Sequence, residues 1–230
     1  MTDSPKAQLL DAIKMHVPFD GWTRPAYQAA VADTGIDPVL ASAVCPRGAV
    51  DLAIAFHQEG DAQMVMRMAE PDVAEMKIRE KITFAVRTRL ELVEDKELVR
   101  RGMTLFSLPQ NAADGTKLVW QTCDAIWNSI GDTSDDVNWY TKRATLAGVY
   151  SSTVLYWLGD ESEGHEATWA FLDRRIENVM QIEKMKATVR KSPLLSKLMV
   201  GPNAVLSHIK APSRLNDQGL PGHMAPKSQS

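Results

Sequence analysis

Apolar residues recur three and four apart along almost the whole chain, the period of a helix buried on one face. Leu9, Leu10, Ile13 and Val17 mark a first helix over about Pro5–Val17, and Pro5 directly after Ser4 suits a helix start. A second helix is expected over Arg24–Thr34, closed by Gly35, and a third over Pro38–Val44, stopped at Pro46. The fourth, Gly48–Met68, turns Leu52, Phe56, Met64 and Met68 inward before Pro71 breaks the chain. Ile78, Ile82, Val86, Leu90 and Val93 carry the fifth, and Leu98–Phe106 the sixth. The seventh, Asn111–Ile130, carries Leu118, Trp120, Cys123, Ile126 and Trp127, and the ninth, Glu166–Arg190, carries Trp169, Leu172 and Ile176. Strand-like alternation is missing, and Asp114–Gly115 falls inside a helical run rather than between strands. The pattern predicts an all-α protein.

The eighth helix lies in the stretch Gly131–Asp160. A polar turn, GDTSDD, opens it, with Ser134 or a neighbour as the natural N-cap. Trp139, Leu146, Tyr150, Val154 and Trp157 then keep helical spacing for about six turns. Asn138, Trp139, Tyr140, Lys142 and Arg143 crowd its first turns. That cluster reads either as an aromatic plug over the core with a solvated basic edge, or as a recognition patch built from the usual interface anchors.

Length and charge narrow the classes. A chain of 230 residues holds one large domain or two small ones. A net charge of −3 gives no global attraction for nucleic acid. Cys45 and Cys123 sit in apolar helical patterns, which suits a reducing compartment and implies no disulfide framework. MTDSPKAQ has neither an apolar h-region nor an Arg-rich leader, and no run of 18 apolar residues occurs. The expectation is a cytoplasmic protein, peripheral on the inner membrane in the bacterial manner.

Residues 1–70, three short helices and a longer fourth, resemble the helix-turn-helix domain of TetR-type repressors. The third helix would be the recognition helix, yet Ile36–Cys45 contains no Lys or Arg. Five positive and nine negative side chains give residues 1–70 a net charge of −4. A DNA reader needs cations to neutralise phosphate, so the expectation is a degenerate helix-turn-helix that binds no nucleic acid.

NWYTKRATLAGVY, the preceding IWNSIGDTSDD and the following TWAFLDRRIENVMQIEKMKA resemble the signature of the ubiquinone-biosynthesis accessory (Coq-nine) family, over about Leu108–Ala211. The resemblance implies a TetR-like helical bundle that binds an isoprenoid lipid or quinone precursor and partners the demethoxyubiquinone hydroxylase. Carried onto this sequence, the partner surface comprises Asp136, Asn138, Trp139, Tyr140 and Arg143, with Lys142 turned off the Trp139 face. The TetR-like fold also implies a ligand inside the larger helical domain, residues 71–192. Met64, Met68, Phe84, Trp120, Trp127, Tyr150 and Trp169 are, on that resemblance, the candidate cavity lining; periodicity alone favours a solid core for them. The same likeness implies a homodimer paired through the last two bundle helices.

Residues 193–230 have a separate character. Leu194, Leu195, Leu198, Met199, Val205, Leu206 and Ile209 form an apolar face, interrupted at Gly201–Pro202, and Lys184–Asn216 holds seven positive and no acidic side chains. An amphipathic helix docked on anionic lipid fits this, as does a last helix packed on its own domain. The Gly-, Pro- and Ser-rich tail from Asn216 is expected to be disordered.

The sequence holds no recognisable catalytic constellation. His16, His57, His165, His208 and His223 form no Glu-x-x-His or His-Glu-x-x-His pattern. His57 and Asp61, four apart, read as a helix-surface pair. No nucleophile elbow, Walker loop or dinucleotide fingerprint occurs, and Asp132, Asp135 and Asp136 read as capping residues. No enzyme and no cofactor are expected. The reading is a lipid-binding accessory protein of ubiquinone biosynthesis; the alternatives are a TetR-type ligand-sensing transcriptional regulator and a quinone-modifying enzyme, which would carry a metal or flavin.

Overall fold

A computed structural model describes residues 4–191 and residue 211. The apolar residues expected to dock on a membrane, Leu194, Leu195, Leu198, Met199, Val205, Leu206 and Ile209, lie outside the described residues. Eleven α-helices are described: α1 Pro5–Lys14, α2 Val17–Asp20, α3 Arg24–Thr34, α4 Pro38–Val44, α5 Ala49–Met68, α6 Pro71–Ala74, α7 Ile78–Glu91, α8 Lys96–Ser107, α9 Ala112–Ser129, α10 Val137–Leu158 and α11 Glu166–Lys191. No strand occurs among the described residues.

Local chemistry fixes most helix ends. Ser4, Thr23 and Asp37 accept backbone N–H groups at the starts of α1, α3 and α4, each followed by a proline in the first turn. Gly35 closes α3 in the left-handed conformation at φ 65°. The first predicted helix is broken: α1 ends at Lys14, and α2 starts at Val17. Pro18 has no N–H to give back to Lys14, so the helix cannot run through it. At α10 the cap is Asp136, whose Oδ1 accepts from Asn138 N at 2.9 Å. Ser134 is engaged elsewhere: its Oγ donates to Asp132 Oδ1 at 2.9 Å and accepts from Lys142 Nζ at 2.7 Å.

Two cores are stacked along α5. Leu52 and Ala53 at its start join Leu9, Ile13, Val17, Trp22, Ala26 and Ala41 from α1–α4, with Leu98 from α8. Met64 and Met68 at its end join Val86, Leu90, Cys123, Ile126, Leu146, Tyr150, Trp157 and Leu172 from α7, α9, α10 and α11. Each fully buried aliphatic side chain here stabilises the fold by about 1.5–3 kcal/mol against exposure. α9 packs against α5, α8 and α10, and α7 against α5 and α11. The gap left between these helices forms the site.

Candidate ligand cavity and its aromatic rim

A cavity of about 530 Å³ lies between α5, α7, α8, α9 and α10, within the range of small-molecule sites. α8 supplies Val99, Met103 and Phe106, a stripe three and four apart that leaves the solid core and faces this space. α5 adds Ala53, Phe56 and His57; α9 adds Leu118, Val119 and Trp120; α10 adds Ala147, Tyr150 and Val154. Trp22 closes one side, held by its Nε1 donating to Leu98 O at 3.0 Å. Met103, Ser107, Ala112, Thr116 and Leu155 are the exposed lining residues and mark the mouth. Residues on both sides of residue 70 build the walls, so the helix-turn-helix-like half contributes directly.

Of the seven residues read from sequence as candidate lining, Trp120 and Tyr150 line the cavity. Met64 and Met68 are packed in the second core instead. Phe84 lies beneath Arg67, Trp127 beneath Lys142 and Trp169 beneath Arg87, each as a cation–π pair. Trp22, Phe56 and the α8 stripe were missed. The available signal was the 99/103/106 spacing on a short helix of which Leu98 alone is fully buried.

A polar cluster sits on the otherwise apolar wall. Arg89, 3 % exposed, donates from Nε to Asp61 Oδ1 at 2.7 Å and from Nη2 to His57 O at 3.1 Å. Thr122 Oγ1 lies 2.9 Å from Asp61 Oδ2 and 2.8 Å from His57 Nε2. The His57–Asp61 pair is therefore an internal one, not the surface pair its spacing suggested, because α7 and α9 cover that face of α5 with partners of their own. Burial, reinforced by the charge of Arg89, lowers His57 to about 4 against the pull of Asp61. Burial likewise raises Tyr150 and Cys123 to about 12 each. At neutral pH the imidazole and phenol are uncharged, and the guanidinium is matched by a carboxylate. Among the described residues no group of three His, Cys, Asp or Glu side chains could hold a metal.

Behind Trp120 lies the aromatic rim. Trp139 packs on Trp120 with ring centroids 5.8 Å apart and meets Tyr140 edge-on at 4.8 Å. Asp136 and Asn138 are exposed at the start of α10 and bonded to each other, Asn138 Nδ2 donating to Asp136 Oδ2 at 2.8 Å. Arg143 does not share that surface. It is 0 % exposed, stacked 4.0 Å under the Trp139 ring. Its Nε reaches Asp124 at 2.5 Å and its Nη1 reaches Asp132 at 3.1 Å. Two acceptors from α9 and the α9–α10 turn draw the guanidinium inward, so it carries the aromatic platform rather than facing a partner. Lys142, 37 % exposed, bonds Asp132 at 2.7 Å. Ala211 N donates to Asp135 O at 2.8 Å, which brings the chain back beside the same helix start.

A helix-turn-helix-like front joined to a bundle with an internal apolar cavity defines the TetR-like class. The crystal structure of the TetR transcriptional regulator from Nitrosomonas europaea ATCC 19718 is similar, with a TM-score of 0.63 and 16 % identity over 75 % of this chain and 95 % of that one. The fold is all-α and TetR-like. Within it, residues 112–183 match the family model COQ9. Ubiquinone biosynthesis protein COQ9, mitochondrial, of Drosophila melanogaster is 35 % identical over 188 residues, covering 80 % of this chain and 57 % of that protein. The Homo sapiens protein of the same name is 30 % identical over 183 residues, covering 76 % and 57 %. The chain is thus similar to the COQ9 family over residues 112–183, and to its named members over most of its own length.

It spans 57 % of the length of either relative. Both are mitochondrial by name, which overturns the expectation of a bacterial-type cytoplasmic location.

Proposed function

We propose that the protein is a lipid-binding accessory factor of ubiquinone biosynthesis, the process that its relatives' names give for them. It holds an isoprenoid quinone precursor in the cavity between α5 and α10. The observation that carries this is the cavity itself: about 530 Å³ walled mainly by aliphatic and aromatic side chains. A prenyl chain needs walls of that kind and no reactive group, since its burial is driven by area removed from water. The aromatic rim of Trp139 and Tyr140, with Asp136 and Asn138 beside it, is the surface offered to the demethoxyubiquinone hydroxylase. The membrane is met through residues 193–210, whose apolar and basic composition suits anionic lipid.

Solvent extraction of the purified full chain, followed by mass spectrometry, tests the central claim. An isoprenoid lipid is expected in near-stoichiometric amount. It should fall in Ala147→Phe, which builds side-chain volume into the cavity. A folded protein that yields no such lipid would remove the carrier reading.

A further inference from the structure

The cavity has two ends. Its mouth lies at Met103 and Ser107 on α8, with Ala112, Thr116 and Leu155 around it. Leu98, near the start of the same helix, lines the other end. Leu98 and Ser107 stand nine residues apart, about 13 Å along a helix axis, so the space runs lengthwise beside α8. A second, smaller cavity of about 80 Å³ adjoins the inner end. It is polar: Lys14, Glu59, Gln63 and Glu94 line it, the last three exposed, and Lys14 Nζ lies 3.5 Å from Glu59 Oε2. The two spaces share Phe56, Arg89, Val93 and Leu98 as a common wall. Arg89 is tied to Asp61 and to His57 O, and Leu98 is 4 % exposed with its carbonyl bonded to Trp22. Phe56 is the bulkiest apolar member of that wall. It is half-buried, and its ring leans on Trp22 with centroids 5.6 Å apart.

We infer that Phe56 is the stop at the inner end of the cavity and fixes how long an apolar chain the protein can hold out of water. This deepens the carrier reading and rests on it. Every methylene inside the walls leaves water and adds to binding; one that overshoots the mouth stays wet and adds nothing. The chain cannot lengthen inward, because the Phe56 ring fills the way. Beyond the ring stand Lys14, Glu59 and Glu94, charged side chains whose hydration an apolar chain would strip. The limit is one of length, so it holds whichever end of the ligand enters first.

The test titrates the full chain with straight 1-alkanols, from octanol to hexadecanol. Tryptophan emission reports binding, since Trp22 and Trp120 line the cavity. Affinity should rise about fourfold per added methylene and then level off at one chain length. In Phe56→Ala the levelling-off should move to chains longer by about two to four methylenes, because the space of a deleted ring closes up only in part. Ala53 lines the cavity three residues before Phe56, on the same face of α5. Ala53→Leu should therefore move the levelling-off to chains shorter by about two methylenes. If Phe56→Ala fails to fold by circular dichroism, Phe56→Leu decides the matter, with a shift of about one or two methylenes in the same direction. An affinity that climbs through the whole series in the wild type, or a levelling-off unmoved in a folded Phe56 variant, overturns the stop and leaves the carrier reading standing. Binding of none of the alkanols overturns both.

Discussion

Trp120 and Trp139 join the inside of the molecule to its surface. Trp120 lines the cavity, and its ring centroid lies 5.8 Å from that of Trp139, which sits half-buried over the start of α10. A ligand that displaces Trp120 must therefore press on the residue at the centre of the proposed partner surface. Trp120→Ala is expected to lower both co-purified lipid and hydroxylase affinity. Trp139→Ala should lower affinity alone, by about 2 kcal/mol as for an interface anchor, with about 1 kcal/mol of stability from lost aromatic contacts. Lipid mass spectrometry beside a binding titration separates them; full lipid retention in Trp120→Ala would break the proposed link.

Arg143 should matter to stability far more than to binding. Its guanidinium is fully buried between Asp124, Asp132 and the Trp139 ring. Removing one partner of a buried ion pair typically costs about 3–5 kcal/mol, because the other charge is left unmatched. Arg143→Met keeps the apolar stem but takes, among the described residues, one of two cations from Asp132, 3 % exposed in its side chain and left with Lys142 at 2.7 Å, and the only bonded guanidinium from Asp124. Urea denaturation should show a loss of about 3 kcal/mol. A near-wild-type midpoint would mean that the charges reach water in solution.

Asp132 gives that network a defined acid limit. Burial raises its pKa, but hydrogen bonds from Lys142, Ser134 and Arg143 outweigh it and hold the carboxyl at about 2. The unfolded value is about 3.9. A depressed folded pKa contributes stability that is complete above the unfolded value and is lost as pH falls through the folded one. The window is therefore about pH 4 down to pH 2, with about 2 kcal/mol at stake. Asp160, lowered by Thr168 and Ser162, adds in the same direction. Denaturation midpoints of wild type and Asp132→Asn should converge across that window; parallel curves would exclude Asp132 as the titrating group.

The helices were legible in the sequence because their ends are local. Thr23, Pro25 and Gly35 bound α3, and Asp37 and Pro38 open α4, through bonds that span four residues or fewer. The cavity was not legible, because an inward-facing position has the same period whether it meets a neighbour or a void. Met64 and Tyr150 lie on equally buried faces, yet Tyr150 alone lines the space. Arg143 looked like surface because its acceptors, Asp124 and Asp132, come from another helix and a turn. Gly115 shows a further non-local cause. A Cβ there would stand 2.8 Å from Phe106 Cβ, so the glycine within α9 permits the close approach of α8.

The transcriptional-regulator alternative makes an opposite forecast about DNA. α4 carries no Lys or Arg and presents Val39 and Leu40 to solvent, 78 % and 45 % exposed. Phosphate contacts supply most non-specific affinity, and residues 1–70 hold a net −4. No mobility shift is expected with duplex DNA at 50 mM salt, about the low end at which basic domains bind strongly. A shift there would favour the regulator.

Gly60 tests whether the Asp61–Arg89 pair sets the shape of the cavity wall. A Cβ on Gly60 would lie 2.6 Å from Arg89 Cζ, closer than atoms can approach. A guanidinium at the end of a flexible side chain would ordinarily swing away cheaply. This one is held by Asp61 Oδ1 at 2.7 Å and His57 O at 3.1 Å and is almost wholly buried. Moving it must break one of those bonds or displace α7 from α5. Gly60→Ala raises helix propensity by about 1 kcal/mol, so a surface-like site would gain stability. The expectation is instead a net loss of about 1–2 kcal/mol from overpacking and a weakened buried pair. Arg89→Met should abolish the clash, so Gly60→Ala in that background should recover most of the propensity gain. A double-mutant cycle by thermal denaturation reads the difference directly, and additive effects would show that Arg89 yields without cost.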